Sequence, residues 1–186
     1  YILYIPFRQY FLHQTTDIPP IEYFFLFISN FHMVEHGPSE VGIVNVLWSI
    51  AVEEQFYLFW PLLFAFMPTR YYKHSVVSII LISLASRFYF NNPRFIEYHT
   101  LSCIGDMAIG GLGALLVLDK NSLVKKWFTE MPRFLIILLY CIVACFILLR
   151  GTYFSLEWIT PYRPLEKSLI AFVFLAIILE QNYAEN

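Results

Sequence analysis

Charged side chains are scarce in this sequence. Aspartate, glutamate, lysine and arginine together make up 14% of the 186 residues, whereas a soluble domain contains about 25%. Hydrophobic residues reach 59% and aromatic residues 19%. A soluble protein of this length could not bury so much apolar surface. The composition therefore predicts an all-α, multi-pass transmembrane bundle of about five to seven helices, because helices satisfy their own backbone hydrogen bonds in lipid.

Strong net charge and cofactor motifs are also missing. The formal net charge is −2 and no basic run occurs, so we expect no nucleic-acid partner. The three cysteines, Cys103, Cys141 and Cys145, have no metal-ligand spacing and indicate no disulfide framework. The glycines between residues 105 and 113 lack a P-loop or dinucleotide pattern and are typical of close helix packing in lipid. We therefore expect no metal and no permanently bound cofactor.

The two ends of the sequence indicate its place in a larger protein. The sequence begins at Tyr1 without a signal peptide, and residues 180–186 follow an apolar helix without a further domain. We therefore expect residues 1–186 to form one integral membrane domain of a longer protein. The first membrane helices and the C-terminal end would lie outside this sequence.

Hydropathy predicts membrane helices separated by short loops. The predicted helices are residues 43–67, 76–90, 100–118, 134–149 and 165–179, with part of another at 1–13 and a shorter apolar helix at 21–33. The loops around Arg70 and at 119–133 hold six of the twelve lysines and arginines, so they should face the cytoplasm. The remaining loops, 34–42, 91–99 and 151–164, should face outward.

Residues 43–67 carry the feature of most interest. Glu53 and Glu54 stand side by side near the middle of this apolar segment. A carboxylate at the centre of a membrane helix costs about 2.5–3.5 kcal/mol on insertion scales. Intramembrane acids usually serve a function, so this helix is predicted to carry the working part of the protein.

Helical spacing suggests partners for these carboxylates. Ser49 and Tyr57 lie one turn either side of Glu53 and could hydrogen-bond to it or to a polar ligand. Arg87 and Asp106 are the natural charged partners within the neighbouring apolar segments. One alternative is a buried ion pair that only fixes helix register. Another is that Arg87 extends to the membrane interface.

The histidines are predicted to be interfacial rather than catalytic, because nothing in the sequence brings one beside Glu53. Two of them, His36 and His99, lie on the predicted outer side and could line a substrate entrance. The others are His13, His32 and His74.

The run LWSIAVEEQFYLFWP, residues 47–61, resembles the signature of the membrane acyltransferase-3 family. A second likeness is SCIGDMAIGGLGAL, residues 102–115, which is similar to a later helix of that family with an aspartate before G-x-x-A. Arg87 also falls where the family tends to place an arginine. The resemblance covers about residues 31–118.

The resemblance implies a membrane O-acyltransferase of the plasma (inner) membrane. Such an enzyme moves an acyl group, in the first place acetyl, from cytoplasmic acyl-CoA to a hydroxyl of a cell-envelope carbohydrate. The implied partners are therefore acyl-CoA, a carbohydrate acceptor and membrane lipid. The family's essential histidine belongs to a first membrane helix that is absent here, so no histidine of this chain takes that role and the chain alone should be inactive.

The two adjacent glutamates in the apolar segment 43–67 and the family resemblance together define the candidate site residues. Glu53 and Glu54 are the candidate catalytic residues, either orienting the missing histidine or binding sugar hydroxyls. The candidate substrate-binding residues are Trp48, Ser49, Gln55, Tyr57, Arg87 and Asp106.

Two other functions remain open from the residues alone. A transporter that carries protons or cations would use intramembrane acids equally well, although no paired halves with matching broken helices are found. A non-catalytic membrane scaffold would use the carboxylates only to pair helices.

Overall fold

The computed structural model describes residues 19–39, 42–118, 123–153 and 163–183. Every regular element in these ranges is a helix, which confirms the predicted all-α class. The described residues fall into two compact units, divided after Phe66, Asn91 and Cys103.

The helices follow one another with short connections. In chain order they are α1 (Ile21–Phe25), α2 (Ser29–His36), α3 (Gly42–Asn45), α4 (Leu47–Phe66), a 3₁₀ turn (Thr69–Tyr71), α5 (Tyr72–Phe90), α6 (Pro93–Tyr98), α7 (Thr100–Leu118), α8 (Leu123–Thr129), α9 (Arg133–Tyr153) and α10 (Arg163–Tyr183). The first unit contains α1 to α4, α6 and the start of α7. The second contains the 3₁₀ turn, α5, the rest of α7 and α8 to α10.

Helix α7 has the bounds that hydropathy predicts. Among the described helices it is the one that is both long and apolar enough to cross a membrane. A shorter apolar stretch, Arg133–Leu149, lies within α9. In α4, the adjacent residues Glu53, Glu54 and Gln55 lower the mean hydropathy of an otherwise apolar helix. The multi-pass arrangement stays a prediction.

The apolar segment at 21–33 was predicted as one helix, which is wrong. The structure breaks it at Phe27, whose φ of 53° lies in the left-handed region. The Ile28 N–H donates to the Tyr23 carbonyl at 2.8 Å and the Phe27 N–H to the Phe24 carbonyl at 3.2 Å. This pair of bonds forms a Schellman motif, which usually requires glycine. Because phenylalanine stands in its place, the sequence gives no stop signal there.

The loop predicted at 34–42 is also shorter than expected. Helix α2 continues to His36 and ends at Gly37, whose φ of 89° a side chain would strain. The long helix predicted at 43–67 then starts in two pieces, α3 and α4. Asn45 bonds reciprocally to the Ser39 backbone, with both distances at 2.8 Å, and this holds the preceding loop against α3. Helix α4 continues through Pro61 to Phe66.

Two further predicted loops contain helices. Helix α6 lies within 91–99, where the Asn92 side chain accepts the Arg94 and Phe95 N–H groups and Pro93 takes the first helical position. This is a favourable N-terminal arrangement. Helix α8 lies within 119–133, and α5, α9 and α10 extend beyond their predicted ends. The predictions for residues 1–13 and for most of 14–20 fall outside the described residues.

Close packing in the second unit depends on Gly105 of α7. A Cβ added there would lie 2.4 Å from the Oγ and 2.6 Å from the Cβ of buried Ser83 on α5. We expect Gly105→Ala to destabilise the protein by about 1–3 kcal/mol, because buried Ser83 cannot move aside without shifting α5. Thermal unfolding measures the loss.

Gly110 provides the control on the same helix. A Cβ added there has nothing within 4 Å, so Gly110→Ala should be neutral or stabilise by up to about 1 kcal/mol. Equal stability of the two variants would contradict the close packing of α7 on α5.

Candidate functional site

Glu53 and Glu54 are both exposed on α4. Neither carboxylate forms a hydrogen bond or an ion pair with any residue that the structure describes. The glutamates therefore do not take the ionic partners expected for them. Both remain available to a group outside the described chain or to a reactant.

The other site candidates on α4 differ in their surroundings. The Ser49 hydroxyl donates to the Val46 carbonyl at 2.9 Å, at the start of the helix. Tyr57 is 61% exposed, and Trp48 places its ring against Tyr98 of α6, with centroids 5.1 Å apart and planes at 78°. Ser49 and Tyr57 thus do not hydrogen-bond to Glu53, and their predicted role toward a ligand stays a prediction.

Gln55 belongs to a closed ring of three side chains. Its Nε2 donates to Asn30 Oδ1 at 3.0 Å, and the Asn30 Nδ2 donates to Thr100 Oγ1 at 2.9 Å. The Thr100 hydroxyl completes the ring by donating to Gln55 Oε1. The remaining donors bond to the carbonyls of Phe27 and Tyr98. The ring therefore joins α2, α4 and the first residue of α7.

This ring fixes how α4 is turned about its axis. Asn30 is completely buried, and a buried amide without partners would cost about 1–3 kcal/mol. Because Gln55 directly follows Glu54, the ring also determines the direction in which both glutamates project. Nothing in the sequence singles out Thr100. Asn30 is marked only as an asparagine inside the apolar segment 21–33.

Arg87 and Asp106 form a second polar group, in the second unit. Arg87 is completely buried, and its Nη2 lies 2.8 Å from Asp106 Oδ2. Its Nη1 donates to Ser168 Oγ at 3.0 Å and to the Pro164 carbonyl at 3.3 Å. The Ser168 hydroxyl in turn donates to Asp106 Oδ1 at 3.4 Å.

These contacts join α5, α7 and α10 around one buried guanidinium. The alternative in which Arg87 extends to the interface is wrong, since none of it is exposed. The alternative of an ion pair that fixes helix register agrees with the geometry. A substrate-binding role for Arg87 stays a prediction, and Asp106, with 25% of its side chain exposed, is the more accessible member.

His99 lies between α6 and α7 in an aromatic setting. Its ring stacks on Phe95 with centroids 4.3 Å apart and meets the edge of Phe31 at 5.2 Å. The Leu101 N–H donates to His99 Nδ1 at 3.0 Å. Burial lowers the pKa of His99 from its ordinary value of 6.5, because the apolar rings disfavour the imidazolium. Histidine is therefore neutral here and caps the start of α7.

Stability should fall as the pH is lowered through about 6.5, the ordinary pKa of histidine. With a lowered pKa in the folded state, the unfolded chain binds more protons in this range, so the free energy of unfolding rises with pH. Thermal unfolding between about pH 5 and about pH 8 measures the effect. His99→Asn retains an acceptor for the Leu101 N–H but does not titrate, so it should show a flatter profile. An unchanged profile in that variant would exclude His99 as the cause.

No family model, curated protein or solved structure matches this chain. The likeness of residues 47–61 and 102–115 to membrane acyltransferases therefore stays a prediction.

Proposed function

We propose that this chain is part of a multi-pass membrane O-acyltransferase of the plasma (inner) membrane. It transfers an acyl group, in the first place acetyl, from acyl-CoA to a hydroxyl of an envelope carbohydrate. One observation carries the proposal. The two adjacent carboxylates of the acyltransferase-like run stand exposed on an apolar helix, without any partner among the described residues.

The apolar surface supports the membrane part of this proposal. Soluble monomers rarely expose continuous apolar patches larger than about 300–600 Å². Here large apolar side chains are exposed along α4, α5, α9 and α10, among them Phe66, Leu81, Phe134, Leu148 and Leu169. Lipid would cover such side chains without cost. The two carboxylates exposed on the apolar helix α4 would need a polar contact, since an isolated charge in hydrocarbon is costly.

The residues suit acyl transfer to a hydroxyl. In that reaction the acceptor oxygen forms an ester bond to the acyl carbon, the thioester bond breaks, and the hydroxyl proton must be removed. Glu53 or Glu54 would accept that proton, directly or through a histidine from another part of the natural protein. The ring formed by Asn30, Gln55 and Thr100 would hold the two carboxylates in a fixed direction, which catalysis by positioned groups requires.

The test uses the full natural protein in lipid vesicles, supplied with acetyl-CoA and with envelope glycans from cells that lack the protein. We expect free CoA to appear together with an equal amount of new ester on the glycan. Proton or cation flux without consumption of acetyl-CoA would contradict the proposal and support a transporter. Absence of both activities would also contradict the proposal and would support the non-catalytic scaffold.

A further inference from the structure

Five aromatic rings of the first unit, here called the aromatic cluster, come from α2, α4, α6 and the residue that follows α6, and they make contact in two groups. Trp48 of α4 packs edge-on against Tyr98 of α6. His99 stacks on Phe95 and touches the edge of Phe31 from α2. Phe95 is buried, whereas the other four rings are partly exposed. The two groups adjoin at Tyr98 and His99, which are neighbours in the chain, and both of these rings are partly exposed.

The bond from Leu101 fixes the hydrogen-bonding role of His99. Because Nδ1 accepts the Leu101 N–H, the neutral ring carries its proton on Nε2. Nothing in the described part of the chain accepts that proton. The Nε2–H is thus a neutral hydrogen-bond donor at the partly exposed edge of the cluster.

Tyr98 offers a second neutral polar group. Its backbone carbonyl accepts from the Asn30 amide at 3.1 Å, so the three-residue ring holds it in place. Its ring contacts Trp48, but its hydroxyl has no hydrogen-bond partner among the described residues. Burial raises the pKa of Tyr98 above its ordinary value, as does the nearby Glu97. The hydroxyl therefore stays protonated and able to donate.

We propose that Trp48, Tyr98 and His99 form a binding site for a neutral sugar ring. This site would hold the acceptor carbohydrate, so the proposal rests on the proposed function. Aromatic rings pack against the apolar C–H face of a pyranose, while a phenol and an imidazole N–H bond to its hydroxyls. Rings in contact with one another, with the Tyr98 backbone held by the buried Asn30 amide, provide the rigidity that such a site needs. A charged ligand fits less well, because both available polar groups are neutral.

Two charged side chains of α6, Glu97 and Arg94, act on Tyr98. Arg94 is engaged elsewhere, because it donates to the Glu35 carbonyl at 2.9 Å and its guanidinium lies beside Gly37. It therefore braces the end of α2.

Direct binding tests this proposal without requiring catalysis. The full natural protein in detergent is titrated with D-glucose, D-galactose, L-rhamnose and N-acetyl-D-glucosamine while tryptophan fluorescence is recorded. We expect a saturable change with at least one sugar. Tyr98→Phe should weaken this binding about fivefold to tenfold, the loss of one hydrogen bond. Its unfolding temperature should not change, because the lost hydroxyl has no internal partner.

Variants of His99 separate ligand binding from helix capping. His99→Asn keeps an acceptor for the Leu101 N–H but loses the Nε2 donor, so it should bind sugar weakly and remain stable. His99→Gln places a donor near the Nε2 position but loses the cap, so it should bind more tightly than His99→Asn and unfold at a lower temperature. Tyr89→Phe, at an 84% exposed tyrosine of the second unit, serves as the control and should change neither property.

The proposal is overturned if none of the four sugars gives a saturable change up to about 100 mM, well above the millimolar range of weak specific binding. It is also overturned if Tyr98→Phe and His99→Asn bind as tightly as the wild type. Sugar binding with the expected variant effects, but without acyl transfer, would refute the proposed function and support the sugar-binding site. Acyl transfer with an unchanged KM for the acceptor in both variants would support the proposed function and refute the sugar-binding site.

Discussion

Replacing Glu53 or Glu54 by glutamine should slow acyl transfer by about 100-fold or more, the usual contribution of a positioned acid or base. Glutamine keeps the shape of the side chain and removes its charge. Neither carboxylate has an internal partner among the described residues, so the protein should remain folded. The initial rate of CoA release and the unfolding temperature are measured for each variant.

Glu22→Gln is the matched control for these variants. Glu22 is an exposed glutamate of α1 in the same unit, and its replacement should leave the rate unchanged. Full activity in both Glu53→Gln and Glu54→Gln would refute their catalytic role. Loss of folding in both would support the scaffold alternative instead.

Asp106→Asn should destabilise the protein by about 3–5 kcal/mol, the usual cost of removing one partner from a buried ion pair. Arg87 is completely buried, and its Nη2 would face a neutral amide in place of the carboxylate oxygen that lies 2.8 Å away. One quarter of the Asp106 side chain is exposed, so we expect a loss of stability toward the lower end of this range, about 3 kcal/mol. Thermal or denaturant unfolding in detergent measures it.

Two comparisons test whether burial is the cause. Glu130→Gln breaks the exposed pair with Lys126 on α8, at 4.0 Å, and should cost less than about 1 kcal/mol. The double variant Arg87→Met with Asp106→Leu removes both charges and should recover much of the stability, because apolar pairs replace buried ion pairs well. A stable Asp106→Asn variant would show that Arg87 has other compensation.

The fold could be predicted from the sequence where local patterns are strong. Helix α7 has no charge except Asp106 and ends at its predicted bounds. The Asn92-Pro93 start of α6 also carries a local signal, an N-cap followed by proline at the first helical position, although hydropathy alone predicts a loop at 91–99. The break at Phe27 was not readable, since a left-handed phenylalanine depends on tertiary packing.

The candidate site, like the fold, could be predicted from the sequence only in part. Pairing of Arg87 and Asp106 with some opposite charge could be anticipated, because a charge buried among apolar helices requires a partner, but the sequence predicts Glu53 or Glu54 as that partner, whereas the two residues pair with each other. The roles of Asn30 and Thr100 could not be anticipated, since each satisfies partners more than twenty residues away. Exposure of both glutamates was likewise unpredictable. Helical spacing gives the angle between neighbouring side chains but not the direction in which the helix faces.

The closed ring of Asn30, Gln55 and Thr100 has a consequence for assembly. Each member gives one bond and receives one within the ring, so the bond dipoles run head to tail and largely cancel. The three segments are separated by 25, 45 and 70 residues, so no local stretch can form any of these bonds by itself. Closure therefore requires all three segments to meet, and removal of one member breaks two of the three bonds. The ring thus couples the placement of α2, α4 and the start of α7 within the first unit.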